Sequence, residues 1–139
     1  MKPRYLVDTS ALLRVKRNPE VARVIGPLLI QGSVAICAPA LLEVMYSTRA
    51  TEYDTTLLTF QQSMHVLALD QASCARAVEV QQLLAQTSQH RTAKAIDLLI
   101  AACAEMNSLT VLHYDRDYDA IAAVTHQPTM WVVPAGSVP

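Results

Sequence analysis

Apolar residues in this chain fall into short blocks and longer periodic stretches, and the two alternate. The blocks Arg4 to Val7, Ser33 to Cys37, His65 to Leu69, Leu109 to Tyr114 and Met130 to Val133 are brief and bounded by cap or turn residues, which predicts strands. Between them the apolar positions repeat at helical spacing. Asn18-Pro19-Glu20 opens a helix carrying Val21, Val24, Ile25, Leu28 and Leu29, which stops at Gly32. Pro39 opens another with Leu41, Leu42, Val44 and Met45, and a more polar helix is expected from Glu52 to Met64. Asp70 caps a long helix to about Gln86, and short helices are expected at Ala11 to Lys16 and Ala120 to Val124. Strand and helix in alternation predict an α/β fold: a central parallel sheet of about four to five strands with helices on both faces.

One helix departs from the amphipathic pattern. From Ala95 to Ala104 the only charged side chain is Asp97, among Ala, Ile, Leu and Cys. A helix apolar all round belongs inside a protein, and a lone carboxylate there is costly without a partner. Asn107 and Ser108 end it, with Asn107 expected to take the role glycine often plays at a helix end. The strand after it runs into Asp115, Asp117 and Asp119. In an open parallel sheet, helix N-termini and strand C-termini share one edge, so Asp97 and Asp115 converge where ligands bind in such folds.

Two more acids follow strands in the same way. Asp8 closes the first, and Glu43 sits in the helix after the second. Read alone, Asp8 is a helix cap and Glu43 an acid stabilised near a helix N-terminus. Four carboxylates from four separate units at one edge point instead to a cation, because they would otherwise repel one another and resist ionisation. Carboxylate oxygens are hard ligands, which favours Mg2+, or Mn2+ as a substitute, over zinc. The four histidines show no paired ligand spacing, and only His113 falls near the acids.

Composition narrows the class. A chain of 139 residues with 52% hydrophobic residues is expected to form a single globular domain over 1–139, with a loose tail after about residue 134. A net charge of −1 excludes a globally basic nucleic-acid binder but leaves room for a local patch. Arg14, Lys16, Arg17, Arg91, Lys94 and Arg116 are the cations expected near the acidic rim, as contacts to a nucleic-acid backbone or as ordinary surface charges. Cys37, Cys74 and Cys103 are odd in number, lack CxxC spacing and read as buried thiols of a reducing compartment. Asp8 interrupts any early signal-peptide pattern and no apolar run approaches a membrane span, so a cytoplasmic location without membrane contact is expected.

The stretches YLVDTSALL, PALLEVMYS around Glu43, AIDLLIAACA around Asp97 and VLHYDRDYDAIA around Asp115 resemble, in order and spacing, a PIN-domain ribonuclease of the VapC type, the toxin of a VapBC toxin–antitoxin pair. The resemblance spans nearly the whole chain. It implies a three-layer PIN-like fold, Mg2+-dependent endonucleolytic cleavage of RNA, inhibition of translation, a homodimer, and neutralisation by a cognate VapB-type antitoxin. The family's acids map onto Asp8, Glu43, Asp97 and Asp115, with Asp117 as an alternative to Asp115 and Ser10 in the supporting hydroxyl position. Asp8 and Asp97 are expected as direct metal ligands, with Glu43 and Asp115 at a second ion or at the attacking water. An antitoxin segment is expected to lie along Pro39 to Met64, where Leu42, Met45, Tyr46, Tyr53, Leu57, Leu58 and Phe60 exceed what a small sheet needs to cover itself. The alternatives are a housekeeping RNA-processing nuclease with the same site and a catalytically silent binding subunit. A phosphoacceptor receiver domain is disfavoured, since Val7-Asp8-Thr9 lacks the adjacent acid and Val133-Pro134 the lysine such a domain requires.

Overall fold

Extended backbone forms where short apolar runs meet turn residues, and in the computed structural model, which describes residues 2–139, five such runs are strands: β1 (Tyr5–Val7), β2 (Val34–Cys37), β3 (His65–Leu67), β4 (Thr110–His113) and β5 (Thr129–Trp131). All pair in parallel, in the order β3-β2-β1-β4-β5. Strands β1, β2 and β4 are nearly or wholly buried, as their unbroken apolar sequences require, while the edge strands are more open. Among the described residues, seven α-helices surround the sheet in a three-layer arrangement: α1 (Thr9–Leu12), α2 (Pro19–Ile30), α3 (Ala38–Tyr46), α4 (Tyr53–Ser63), α5 (Gln71–Ala85), α6 (Ala95–Met106) and α7 (Asp117–Thr125). The α/β architecture expected from the alternating pattern is the one observed. Among the described residues, no helix is long and apolar enough to cross a membrane.

Strand order determines where a ligand can enter. The chain steps from β1 outward through β2 and β3, then returns to place β4 and β5 on the other side of β1. The connections leave β1 and β4 in opposite directions, and such a switch point opens a crevice at the carboxyl ends of the strands. Val7 is in register with Leu112, and the Asp8 N–H donates to the Leu112 carbonyl at 2.9 Å, so the residues after β1 and β4 start side by side. Helix α6 is the inner wall. Leu98, Ile100, Ala101, Ala102, Cys103 and Ala104 are all buried, and Arg76 of α5 pairs with Glu105 near its end.

Several local expectations differ from the structure. Helix α1 is shorter than Ala11 to Lys16, because bonds from Arg14 N to Ala11 O and Val15 N to Leu12 O tighten it into turns. The left-handed residue after α6 is Ser108 (φ 57°), not Asn107; the Asn107 side chain instead caps the Cys103 carbonyl at 2.8 Å. Helix α7 begins at Asp117 rather than Ala120, placing Asp117 and Asp119 in its first turn, where acids suit the helix dipole. Cys37 and Cys103 are buried as expected, but Cys74 is exposed on α5. The tail beyond Pro134 folds back: the Tyr114 hydroxyl donates to Val138 O at 2.8 Å, and Arg14 Nε donates to Pro139 O at 3.0 Å.

Candidate active site

Each acid reaches the crevice because an element ends there. Asp97 lies in the first turn of α6, facing the sheet, and is 5% exposed. Asp115 follows β4, and its Oδ1 accepts the Asp117 N–H at 2.9 Å, a turn that starts α7 and points Asp117 the same way. One carboxylate oxygen from each of Asp97, Asp115 and Asp117 lies within 4.8 Å of the others. Both acids that sequence reading held as alternatives are therefore in the cluster. Asp97 Oδ2 is buried without a hydrogen-bond partner.

That environment shifts proton affinity. Burial, then the contact with the Asp117 carboxyl, then the negative charges of Asp8, Asp115 and Asp117 push the Asp97 pKa up to about 7. Three close carboxylates around an orphaned buried oxygen are costly without a cation and suit a hard one. The residues present thus fit a divalent ion of the Mg2+ or Mn2+ kind.

Asp8 occupies the next position and is held differently. It caps α1: its Oδ2 accepts the Ser10 N–H at 3.0 Å and the Ser10 hydroxyl at 2.5 Å, and its Oδ1 accepts the Tyr118 hydroxyl at 2.7 Å. Three of a carboxylate's roughly four acceptor positions are thereby filled, leaving about one on Oδ1. The cap and site readings of Asp8 are not exclusive; its side chain caps the helix and its charge bears on Asp97. Ser10 also accepts the Tyr114 N–H at 2.9 Å, tying the turn after β1 to the end of β4. Glu43 is in the second turn of α3, exposed and outside the Asp97–Asp115–Asp117 group.

Sequence reasoning missed Tyr118, which is completely buried beneath the acids. Burial, together with the charges of Asp8 and Asp97 and the bond to Asp8, raises its pKa well above the usual phenol range, so it remains a donor. The available signal was an aromatic residue between two acids in a helix's first turn. His113 is fully buried beside Tyr118, and burial lowers its pKa. Its Nδ1 accepts the Asp115 N–H at 3.1 Å, which leaves the proton on Nε2 and orients the residue after the strand.

The expected cations separate into groups. Arg14 and Arg116 flank a recess of about 450 Å3 that also touches Asp115. Lys94 is the exposed N-cap residue of α6, three positions before Asp97, and Arg91 is exposed in the preceding loop. Lys16 and Arg17 lie elsewhere, on a groove of about 630 Å3 with Leu12, Leu13, Val44, Arg49 and Phe60. That groove borders the expected Pro39 to Met64 segment, but of the seven apolar residues expected to meet a partner there only Phe60 lines it; Leu42, Tyr46, Tyr53 and Leu58 are exposed outside it, and Met45 is core.

An acidic crevice at the switch point of a five-stranded parallel sheet defines a class of α/β protein with a cation-suited site. The PIN domain family matches residues 5–124 of this chain. Ribonuclease VapC51 of Mycobacterium tuberculosis is 44% identical over 99% of this chain and 99% of its own length. Among solved structures, the DNA-bound VapBC of Salmonella typhimurium superposes with a TM-score of 0.76 at 15% identity, over 94% of this chain and 99% of that one. The VapBC2 of Rickettsia felis, bound to a DNA fragment from the promoter, gives 0.73 at 17% identity, over 94% and 99%. The chain belongs to the PIN-domain family, in its VapC branch.

Proposed function

We propose that this protein is a Mg2+-dependent endoribonuclease, the toxin of a VapBC-type pair, which blocks translation by cutting RNA in the cytoplasm. One observation carries the reading: the buried, partnerless Asp97 oxygen within 4.8 Å of Asp115 and Asp117 oxygens at the crevice. The VapC ribonuclease relatives support the substrate class.

When bound, a divalent cation supplies electrophilic pull on the scissile phosphate and acidifies attacking water. Asp97, Asp115 and Asp117 would hold it, and Asp8 has an acceptor position on Oδ1 for a further contact. Ser10 and Tyr118 hold the Asp8 carboxylate in place by donating to both its oxygens. Glu43, exposed on the helix after β2, would contact a second ion or orient the water. Arg14, Lys94 and Arg116 would engage the RNA backbone, whose charge would otherwise be repelled by the acids.

Control is proposed to come from a VapB-type antitoxin, and the active form to be a homodimer. The apolar floor and the Lys16, Arg17 and Arg49 rim of the large groove suit a segment with apolar anchors and carboxylates. A basic antitoxin residue reaching the acids would displace the cation.

The test is cleavage of total RNA by purified protein in Mg2+ or Mn2+ and in chelator, alongside Asp97→Asn. Metal-dependent cuts lost in the variant support the reading, and metal-independent or Asp97-independent cleavage refutes it. Co-purification with the product of the neighbouring gene tests the partner.

A further inference from the structure

Beside the acids, the chain builds a recess that acid chemistry does not need. Its sides are Tyr114, Trp131, Arg14 and Arg116, Asp115 is shared with the carboxylate group, and the returning tail from Ala135 to Pro139 forms the outer wall. The volume of about 450 Å3 lies within the range of roughly 300–1,000 Å3 usual for small-ligand sites. It is open to solvent, so a chain can pass through it rather than only enter it.

The side chains are fixed in place. Trp131 donates its indole N–H to Asp119 at 3.1 Å and meets Tyr114 edge to face, with centroids 5.4 Å apart and planes at 86°. The Arg14 guanidinium lies 4.4 Å over the Tyr114 ring. It donates to Ser10 O at 2.7 Å and to Pro139 O at 3.0 Å, so two of its five N–H groups are used and the rest remain for an anion. Tyr114 is held by the tail, donating to Val138 O and accepting the Val138 N–H at 3.1 Å.

Planar aromatic and guanidinium surfaces with a spare cation are what an unstacked nucleobase and its phosphate require. A purely apolar peptide would leave Arg14 and Arg116 unanswered. Trp131 and the tail also lie beyond residues 5–124, the part shared with the PIN family at large, which suits selection among substrates rather than common chemistry.

We propose that this recess binds the RNA nucleotide flanking the scissile phosphate, with the base against Trp131 and the Arg14–Tyr114 pair and the phosphate at Arg14 and Arg116, and so sets which base is cut beside. The proposal rests on the RNA-cleaving reading for its substrate, but its binding step can be read separately.

Trp131 is the only tryptophan in the chain, so its fluorescence reports on the recess directly. Metal-free protein in chelator is titrated with the hexaribonucleotides rA6, rC6, rG6 and rU6 and with inorganic phosphate. A saturable change with RNA, differing among bases and absent with phosphate, is expected; no change with any oligomer, or an equal change with phosphate alone, overturns the proposal. Cleavage of a randomised RNA pool is then sequenced for wild type, Trp131→Leu, Trp131→Phe and Arg14→Ala. Trp131→Leu and Arg14→Ala should raise KM about tenfold with a much smaller fall in kcat, and flatten the base preference, which Trp131→Phe restores. An unchanged preference and KM in both variants overturns the proposal whatever the fluorescence. If wild-type protein cuts no RNA at all, the ribonuclease reading fails, and the fluorescence titration alone decides the recess.

Discussion

The Tyr118 hydroxyl donates to Asp8 Oδ1 at 2.7 Å, joining the first strand's end to the last helix across 110 residues. Both partners are almost wholly buried. Tyr118→Phe removes the donor and keeps the ring, leaving one Asp8 oxygen without its bond. Losing a buried partner of a charged group costs about 1–3 kcal/mol. Urea unfolding should show a loss of that order, and RNA cleavage should fall with it. Unchanged stability would mean that water replaces the phenol and that Asp8 is not sealed from solvent.

Asp97 makes metal-free stability depend on pH. Its pKa rises from 3.8 to about 7 on folding, so between those values the folded state holds more protons than the unfolded one. Stability therefore falls as pH rises from about 4 to about 7, then levels off. In chelator, the melting temperature should decline across that window, and Asp97→Asn should flatten the decline and melt about 3 °C or more above wild type at pH 8. Millimolar Mg2+ or Mn2+ should raise the wild-type value at pH 8, where Asp97 is ionised, and have little effect at pH 5. A melting temperature indifferent to metal at pH 8 contradicts a cation site.

Much of this site was legible because its parts obey local rules. The run around Asp97 contains no other charge, and each remaining acid follows a strand or opens a helix. The β-α order then brings Asp8, Asp97, Asp115 and Asp117 to one edge, while Glu43 stays outside that group. What escaped depends on contacts between distant segments. Nothing local to Asp-Tyr-Asp at 117–119 says that the tyrosine points inward to Asp8 and that Asp119 turns outward to Trp131. The last six residues look like a loose end in sequence, yet Tyr114 and Arg14 hold them. Cys74 sits in an apolar stretch, but α5 turns that position to solvent. Asn107 was the better left-handed candidate by residue type; its side chain instead found the Cys103 carbonyl, and Ser108 took the turn.

The thiols offer a separate check on packing. Cys37 and Cys103 are buried, and the Cys37 thiol is pushed far up by its contact with Cys103 and by burial. Only Cys74 is both exposed and free. A thiol reagent should label one cysteine quickly in native protein and all three in denaturant. Cys74→Ser should abolish the fast phase without changing RNA cleavage. Fast labelling of Cys37 or Cys103 would mean that α6 does not seal the sheet as described.

The large groove separates binding from catalysis. Leu13, the residue that closes α1, is 51% exposed and lines it, and makes none of the bonds that fix Asp8. An exposed leucine at the rim contributes little to the core, so Leu13→Glu should change the melting temperature by no more than about 2 °C. For an apolar segment docking there, the same change places an unpaired charge in the contact, and affinity should fall by about tenfold or more. Arg49→Glu should weaken binding further if the partner presents carboxylates to this rim. Titration of the co-encoded protein, with RNA cleavage measured in parallel, reads both effects. The expected result is cleavage at the wild-type rate that the partner no longer silences. Full silencing of Leu13→Glu would move the partner's anchor elsewhere, and loss of cleavage in the free variant would mean that groove and crevice are coupled through α1.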